Sequence, residues 1–235
     1  MLNSTLQIKV KQRLNKLDSQ DYDNIECWQI IEAFNKGQIQ WCRRQLVGTN
    51  ILKQGDEQSK RRVDDLQILL KREEVTMIKK DGFYQSLNDL PADYMEYKRI
   101  DVAAINECCP NPKPFVVYMA EEANVPILLR DRLKQPNFEW GETFMTLINN
   151  KIHVYTNNEF DVEAVDLVYY RKPINIQIEG CVDPYTELVS LTNVECEFKD
   201  DVTEVLIDEC VKIISGDIES FNQVSINTES VEQNN

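Results

Sequence analysis

Residues 143–156 read TFMTLI-NN-KIHVYT, and this stretch predicts how the second half of the chain folds. Two runs rich in apolar residues, 143–148 and 151–156, flank the pair Asn149-Asn150. A two-residue loop of this kind is typical of a β-hairpin, because Asn tolerates the left-handed backbone conformation that tight hairpin turns require. The stretch therefore predicts two antiparallel strands joined by a tight turn.

Further strands are predicted on both sides of this hairpin, over residues 75–79, 95–105, 115–119, 165–170 and 174–178. Between two of them, Cys109–Pro114 is predicted to be a loop, because three prolines in five residues exclude a helix or a central strand. We therefore predict a β-rich domain over 76–199, with a long loop around 120–142.

Helical periodicity dominates residues 1–75. Apolar side chains recur every three or four residues, which predicts a first helix after Asn3-Ser4-Thr5 and a second one that begins near Asp21 or Asp23 and reaches Leu46. A third helix is predicted over Asp56–Glu74. This part of the chain is therefore predicted to be a helical region.

The end of the chain has a helix of its own. Asp200-Asp201 predict the start of an amphipathic helix over 200–216, and Gly216 predicts its end. The polar residues 217–235 are predicted to be disordered or bound to a partner. The predicted fold class is therefore α+β: an N-terminal helical region, then a mostly antiparallel β-sheet or small β-sandwich, then the C-terminal helix.

The charge of the chain excludes one class of function. Its 40 acidic and 26 basic side chains give a formal net charge of −14. Residues 1–75 carry 13 basic and 11 acidic side chains, whereas residues 76–235 carry 13 basic and 29 acidic ones. Sequence-specific binding of DNA or RNA requires clustered Lys and Arg, so this function is not expected.

Signals of enzymatic chemistry are weak. The single histidine, His153, alternates with apolar neighbours in a predicted strand, and no glycine-rich phosphate-binding motif is present. The seven cysteines form no C-x-x-C pair, which predicts reduced thiols rather than a zinc site or a disulfide framework. We therefore predict no catalytic residue, no metal and no cofactor.

Two sets of residues are candidates for contact with other molecules. Phe138, Trp140 and Phe144 place three aromatic side chains in a predicted loop, where they either cap the core or form an interface. The densest acidic region is predicted to be a solvated helix face or a surface that faces DNA without binding it. Its residues are Glu195, Glu197, Asp200, Asp201, Glu204, Asp208 and Glu209.

The order of the predicted elements resembles a known family. The chain resembles ring or head–tail adaptor proteins from the neck of short-tailed bacteriophages, most nearly those of the crAss-like phages, over roughly residues 60–215. The resemblance depends on layout and on short phrases: LPADY at 90–94, EANV at 122–125, PNFEWGETF at 136–144, VYTN at 154–157 and VYYRKP at 168–173.

This resemblance implies a virion protein without enzymatic activity. Such proteins form closed rings, here expected to be twelve-fold, between the portal protein and other neck or tail rings, and DNA passes through the channel without specific binding. A good share of the acidic residues listed above are then expected to face this channel and repel the DNA. The expected location is then the neck of the virion, after synthesis in the host cytoplasm, with no membrane partner. The sequence offers no secretory signal and no apolar run long enough to span a membrane.

Two other functions stay open at this point. One is a cytosolic adaptor or assembly chaperone that never enters the virion. The other is a metal-dependent hydrolase that uses the C-terminal carboxylates.

Overall fold

The structure is a computed structural model that describes residues 1–14, 25–47 and 60–217. The chain divides into two compact units. The β unit comprises Leu69–Lys172, and the helical unit combines Met1–Ile68 with the residues from Pro173 onward. The β unit is therefore inserted in the sequence of the helical unit, and the predicted boundary at residue 199 is wrong, because residues 173–199 belong to the helical unit.

Among the described residues, three α-helices precede the strands in the sequence, a short one lies between the fifth and sixth strands, and one follows the strands. They are α1 (Asn3–Leu14), α2 (Cys27–Val47), α3 (Lys60–Leu66), α4 (Val125–Leu128) and α5 (Asp200–Asp217). The strands are β1 (Leu70–Glu74), β2 (Met77–Lys79), β3 (Phe83–Ser86), β4 (Tyr94–Asn106), β5 (Cys109–Met119), β6 (Glu142–Ile148), β7 (Lys151–Tyr155) and β8 (Asp161–Arg171).

In the helical unit, α5 packs against α1 and α2. The buried residues of α1 are spaced by three or four, so they form one stripe along the helix that faces the interior. Leu206 and Cys210 of α5 are buried one turn apart. Full burial of one such apolar side chain contributes about 1.5–3 kcal/mol, so these stripes account for the association of the three helices.

The eight strands of the β unit form one sheet in the order β1-β8-β4-β5-β6-β7-β3-β2. Every neighbouring pair is antiparallel except β5 and β6, which are parallel. β1 and β2 are consecutive in the sequence, yet they lie at opposite ends of this order. The sheet is curled: the Val75 N–H donates to the Val165 carbonyl at 2.8 Å, and the Tyr84 hydroxyl donates to Asp161 at 2.8 Å.

The two faces of the sheet bury different clusters. One face carries the main core, which includes Val102, Met145 and Leu167. The other face carries Phe144 and Tyr155, whose rings stack at 4.7 Å and which pack with Val125 of α4. The alternation of neighbouring residues between two faces, expected of any strand, thus gives the sheet two separate apolar layers.

The predicted hairpin is confirmed. Ile148 pairs with Lys151 across the turn, and Asn149 and Asn150 have φ values of 50° and 59°. A two-residue turn with both residues in the left-handed conformation has a backbone twist that matches the right-handed twist of the two strands. The predicted α+β fold class is confirmed as well, with helices before and after a mostly antiparallel sheet.

The prediction that Cys109–Pro114 is a loop is wrong, because these residues begin β5. They pair with β4 on one side only, since β6 reaches no further along β5 than Val116–Met119. The Val116 N–H donates to the Gly141 carbonyl on the β6 side. Along a strand, the backbone nitrogens of residues two apart face the same edge, so the prolines have their nitrogens on the β6 side as Val116 does. No described strand pairs with that part of this edge, so no hydrogen-bond donor is required there.

Other element boundaries also differ from the prediction. Leu70–Glu74 is strand β1 rather than the end of the third helix, and residues 174–178 form only one isolated bridge, between Gln177 and Val194. The predicted helix starts near Asp21 and Asp56, and the tail after Asp217, lie outside the described residues.

Candidate functional site: two exposed apolar surfaces

The three predicted interface aromatics have three different environments. Phe144 is fully buried, so the prediction that it forms an interface is wrong. Phe138 is half-buried, and its ring lies 5.6 Å from that of Phe115 in the core. Trp140 is 55% exposed. Of the three aromatics, Trp140 is therefore the one placed to contact another molecule.

The β unit has an exposed apolar surface, formed by residues that precede Trp140 in the sequence. Residues 127–134, which we call the basic turn, carry the exposed side chains of Ile127 and Leu133, the latter 72% exposed. Three exposed cations flank Leu133: Arg130, Arg132 and Lys134. Among the described residues, none of these three cations forms an ion pair. Their charges are therefore available to a partner.

Backbone contacts hold the basic turn in place. The Arg130 N–H donates to the Ile127 carbonyl at 3.1 Å, and the Lys134 carbonyl accepts from the Tyr118 hydroxyl of β5 at 3.2 Å. The Asp131 carboxylate accepts a hydrogen bond from the Leu133 N–H at 3.0 Å, so one of its oxygens is engaged within the turn. The basic turn therefore has a defined conformation and is anchored to strand β5 of the sheet.

The helical unit has a second exposed apolar surface. Residues 179–191, which we call the acidic tongue, expose several large apolar side chains, among them Tyr185 at 80% and Leu191 at 86%. The tongue also carries Glu179, Asp183 and Glu187, all exposed. No Lys or Arg lies between Lys172 and Lys199 in the sequence, so the tongue is uniformly acidic.

The acidic tongue is ordered by its own hydrogen bonds. The Ser190 N–H donates to the Cys181 carbonyl at 2.8 Å, and the Asp183 N–H donates to the Leu188 carbonyl at 3.0 Å. The Asp183 carboxylate accepts from the Tyr185 N–H, and this bond lowers the pKa of Asp183. Asp183 is therefore ionised at neutral pH, and the tongue keeps both its shape and its charge.

A disulfide joins the acidic tongue to α2. Cys27 and Cys181 are bonded, which corrects the prediction that the cysteines are reduced. The bond forms because the fold brings together two cysteines that are 154 positions apart, a proximity that sequence spacing does not reveal. Next to it, Tyr185 lies edge-on to Trp28 of α2, and a groove of about 530 Å³ runs between the tongue and that helix.

The remaining cysteines are free, and they differ in exposure. Cys108 and Cys109 are exposed at the turn between β4 and β5, whereas Cys42, Cys196 and Cys210 are buried. Burial raises the pKa of each of these three thiols, since it disfavours the thiolate. The buried thiols are therefore poor nucleophiles.

Most of the predicted acidic set lies on α5 or just before it, and several members face cations of the same unit. Glu204 pairs with Lys9 and Arg13 of α1, and Arg13 also bonds Asp208 at 2.6 Å. Asp200 lies 2.9 Å from the Met1 amino group. These pairs use charge that we assigned to a channel wall, because α1 lies along this side of α5.

Glu209 does not fit the predicted channel-facing role. Its side chain is buried, and Arg44 of α2 donates to it at 2.8 Å. A carboxylate enclosed between two helices cannot face a channel, so this part of the prediction is wrong. Glu195 and Asp201 are exposed, and Glu197 is half-exposed, with one oxygen accepting from the Ile174 N–H.

His153 and the carboxylates are the remaining candidates for a reactive or metal-binding site. His153 is half-buried in β7 beside Phe83, with ring centroids 5.1 Å apart, and burial lowers its pKa. In the part of the chain that the structure describes, no group of three or more His, Cys, Asp or Glu could hold a metal ion. Likewise, no described helix is long and apolar enough to cross a membrane.

Comparison with known proteins adds no functional assignment. No protein-family model matches this chain, and no curated protein is significantly similar to it. The features that bear on function are therefore an exposed surface in each unit: the basic turn in the β unit, with Trp140 shortly after it in the sequence, and the acidic tongue in the helical unit.

Proposed function

We propose that this chain is a structural subunit that forms a cyclic ring in the portal–tail connector of a tailed phage. One observation carries the proposal: each of the two units exposes its own apolar surface, the basic turn in one and the acidic tongue in the other. Identical subunits in a ring meet through two different patches, because each subunit contacts one neighbour on either side. A chain with one patch in each unit meets this requirement.

The construction of the two surfaces supports this function. Soluble monomers rarely keep contiguous apolar side chains exposed on ordered loops, and such surfaces mark contacts with other proteins. Both surfaces are held by hydrogen bonds, and the tongue also by a disulfide, so little conformational entropy is lost on assembly. Rigid, apolar surfaces of this kind suit a permanent assembly.

The charge of the chain supports passage of DNA through such a ring. A channel wall rich in Lys or Arg would hold DNA by releasing counterions at each phosphate. The exposed carboxylates Glu195 and Asp201 are available to line a channel and repel phosphates over about 8–10 Å in physiological salt. In this role, the chain joins the portal protein to other neck or tail rings and lies in the virion.

Mass and symmetry test this proposal. The purified chain, alone and co-expressed with the portal protein of the same genome, is measured by native mass spectrometry and imaged by electron microscopy. A closed cyclic oligomer, in either preparation, is the expected result. A small complex with one phage protein that is absent from purified virions would instead identify an assembly chaperone, and a monomer in both preparations would refute the ring.

A further inference from the structure

The two exposed surfaces carry opposite charge. The acidic tongue carries Glu179, Asp183 and Glu187 among its exposed apolar side chains, and the sequence of that segment contains no cation. The basic turn carries Arg130, Arg132 and Lys134 within three positions of Leu133, and Asp131 is the only carboxylate in this segment of the sequence. In a chain with a net charge of −14, this turn carries three cations that form no ion pair with a described residue, and such a turn suits an acidic partner.

We propose that the acidic tongue of one copy of this chain docks on the basic turn of the next copy. The inference rests on the ring proposed above, and it names the two surfaces through which neighbouring subunits meet. The contact has the composition of protein interfaces, with an apolar centre and a charged rim. The centre comprises Tyr185 and Leu188 on one side and Ile127 and Leu133 on the other, all exposed in the single chain.

The two surfaces match each other, and this match identifies a second copy of the chain as the docking partner. Each surface alone would suit many proteins, but the apolar and charged features of one are complemented by those of the other. Because the two surfaces differ, the contact is heterologous, so it extends from copy to copy and closes only as a ring. The charged rim fixes the orientation of docking and disfavours contact between two tongues or two turns, since like charges then oppose each other.

Charge reversal tests this contact. The tongue variant carries Glu179→Lys and Glu187→Lys, and the turn variant carries Arg130→Glu and Arg132→Glu. None of these four side chains forms a hydrogen bond or an ion pair with a described residue, so the fold should persist. Each variant alone should raise the concentration needed for assembly by about tenfold or more, because like charges now meet at the contact.

Mixing the two variants gives the decisive result. The lysines of the tongue variant face the glutamates of the turn variant, and the unchanged surfaces of the two chains also match. An equimolar mixture should therefore regain assembly with the two chains in alternation, and one chain that carries all four changes should assemble alone. The matched controls Glu163→Lys and Lys80→Glu reverse exposed charges elsewhere in the β unit and should assemble as the parent chain does.

The possible outcomes distinguish a failure of the proposed contact from a failure of the ring proposal. Assembly is measured by mass photometry across concentration and salt, and circular dichroism checks that each variant is folded. If the parent chain forms a ring and both variants form it equally well, or if mixing restores nothing, the contact is wrong while the ring proposal stands. If the parent chain remains monomeric with and without the portal protein, both proposals are wrong. High salt should weaken parent assembly, because it screens the charged rim.

Discussion

The most informative single residues are those whose environment differs from that of their near neighbours. Trp140 and Phe144 lie four positions apart in one aromatic segment, yet one is 55% exposed and the other fully buried. Gly141 between them has φ of +69°, and a Cβ atom added there would lie 3.2 Å from the Lys113 Cε atom. The chain reverses at this glycine, so the aromatic before it points outward and the one after it enters the sheet.

Substitution of these two aromatics should separate interface from core. Phe144→Ala removes a ring packed between Tyr118 and Tyr155, and we expect it to lower the free energy of unfolding by about 3–5 kcal/mol. Trp140→Ala should change that free energy by less than about 1 kcal/mol and instead impair incorporation into particles. Urea denaturation of both variants checks this. Unfolding of Trp140→Ala under native conditions would place Trp140 in the core.

The ion pair of Arg44 and Glu209 offers a second residue-scale test. Glu209 is 2% exposed, so Arg44→Ala leaves a carboxylate buried between two helices without its cation. Loss of one partner of a buried pair is strongly destabilising, and we expect about 3 kcal/mol from chemical denaturation. Arg43→Ala, at an exposed position of the same helix, is the control and should be nearly neutral.

A double substitution excludes a packing explanation for that loss. Arg44→Met combined with Glu209→Met removes both charges and should recover most of the stability, because apolar replacements of a buried pair are often neutral. Equal destabilisation in the single and double variants would mean that the packing of Arg44, rather than its charge, stabilises the helices.

At the scale of elements, helix α5 organises the helical unit through close contact with α2. A Cβ atom added at Gly37 of α2 would lie 3.3 Å from the Glu209 Cγ atom of α5, so the absence of a side chain allows the two helices to approach. Gly216, near the end of α5, has open space around it. Two helical glycines thus have different roles, one in helix packing and one without any packing constraint.

Alanine substitutions at these glycines should have opposite effects. Gly216→Ala should stabilise the protein by about 0.5 kcal/mol, since alanine restricts the unfolded chain and favours a helix. Gly37→Ala gains the same propensity but displaces Glu209, which Arg44 holds in place, and we expect a net loss of about 1 kcal/mol. Thermal unfolding of the two variants compares them directly, and stabilisation by Gly37→Ala would show that the helices can separate without cost.

The Cys27–Cys181 disulfide connects α2 to the acidic tongue. A link between residues 154 positions apart restricts the unfolded chain, so reduction should lower the free energy of unfolding by about 2–4 kcal/mol. Differential scanning calorimetry with and without a reducing agent measures the effect. Cys27→Ser should give the same loss and remove the response to reductant, whereas Cys108→Ser, at an exposed free thiol, should behave as the parent chain does.

At the scale of the whole molecule, electrostatics and assembly act together. The chain is acidic, with an isoelectric point near 4.6, and several carboxylates of α5 are paired with cations of α1 and α2. The negative charge left for the solvent is therefore smaller on that helix than its sequence indicates. Glu195 and Asp201 remain exposed, and they are the residues that a DNA-facing role would use.

DNA binding provides the whole-molecule test. We expect no measurable affinity of the parent chain for duplex DNA at physiological salt, because phosphate contacts require clustered cations. Glu195→Lys combined with Asp201→Lys should leave ring assembly unchanged but slow the ejection of DNA from particles, as fluorescence of ejected DNA would record. Unchanged ejection would mean that these carboxylates do not line the channel, and that the acidic surplus serves another purpose, such as solubility.

Local sequence determined much of this fold by itself. The Asn149-Asn150 hairpin, the start of α5 with Asp200 and Asp201 in its first turn, and the apolar stripe of α1 all follow from turn chemistry, from the preference of a first helical turn for acidic residues and from periodicity. Tertiary structure decided which environment each element found. The proline-rich start of β5 is a strand whose second edge pairs with no described strand. Phe144 is buried because Tyr155 and Val125 of α4 pack against it on its face of the sheet. The Cys27–Cys181 bond, the Arg44–Glu209 pair and the exposure of the acidic tongue depend on contacts between residues distant in sequence, which no local pattern records.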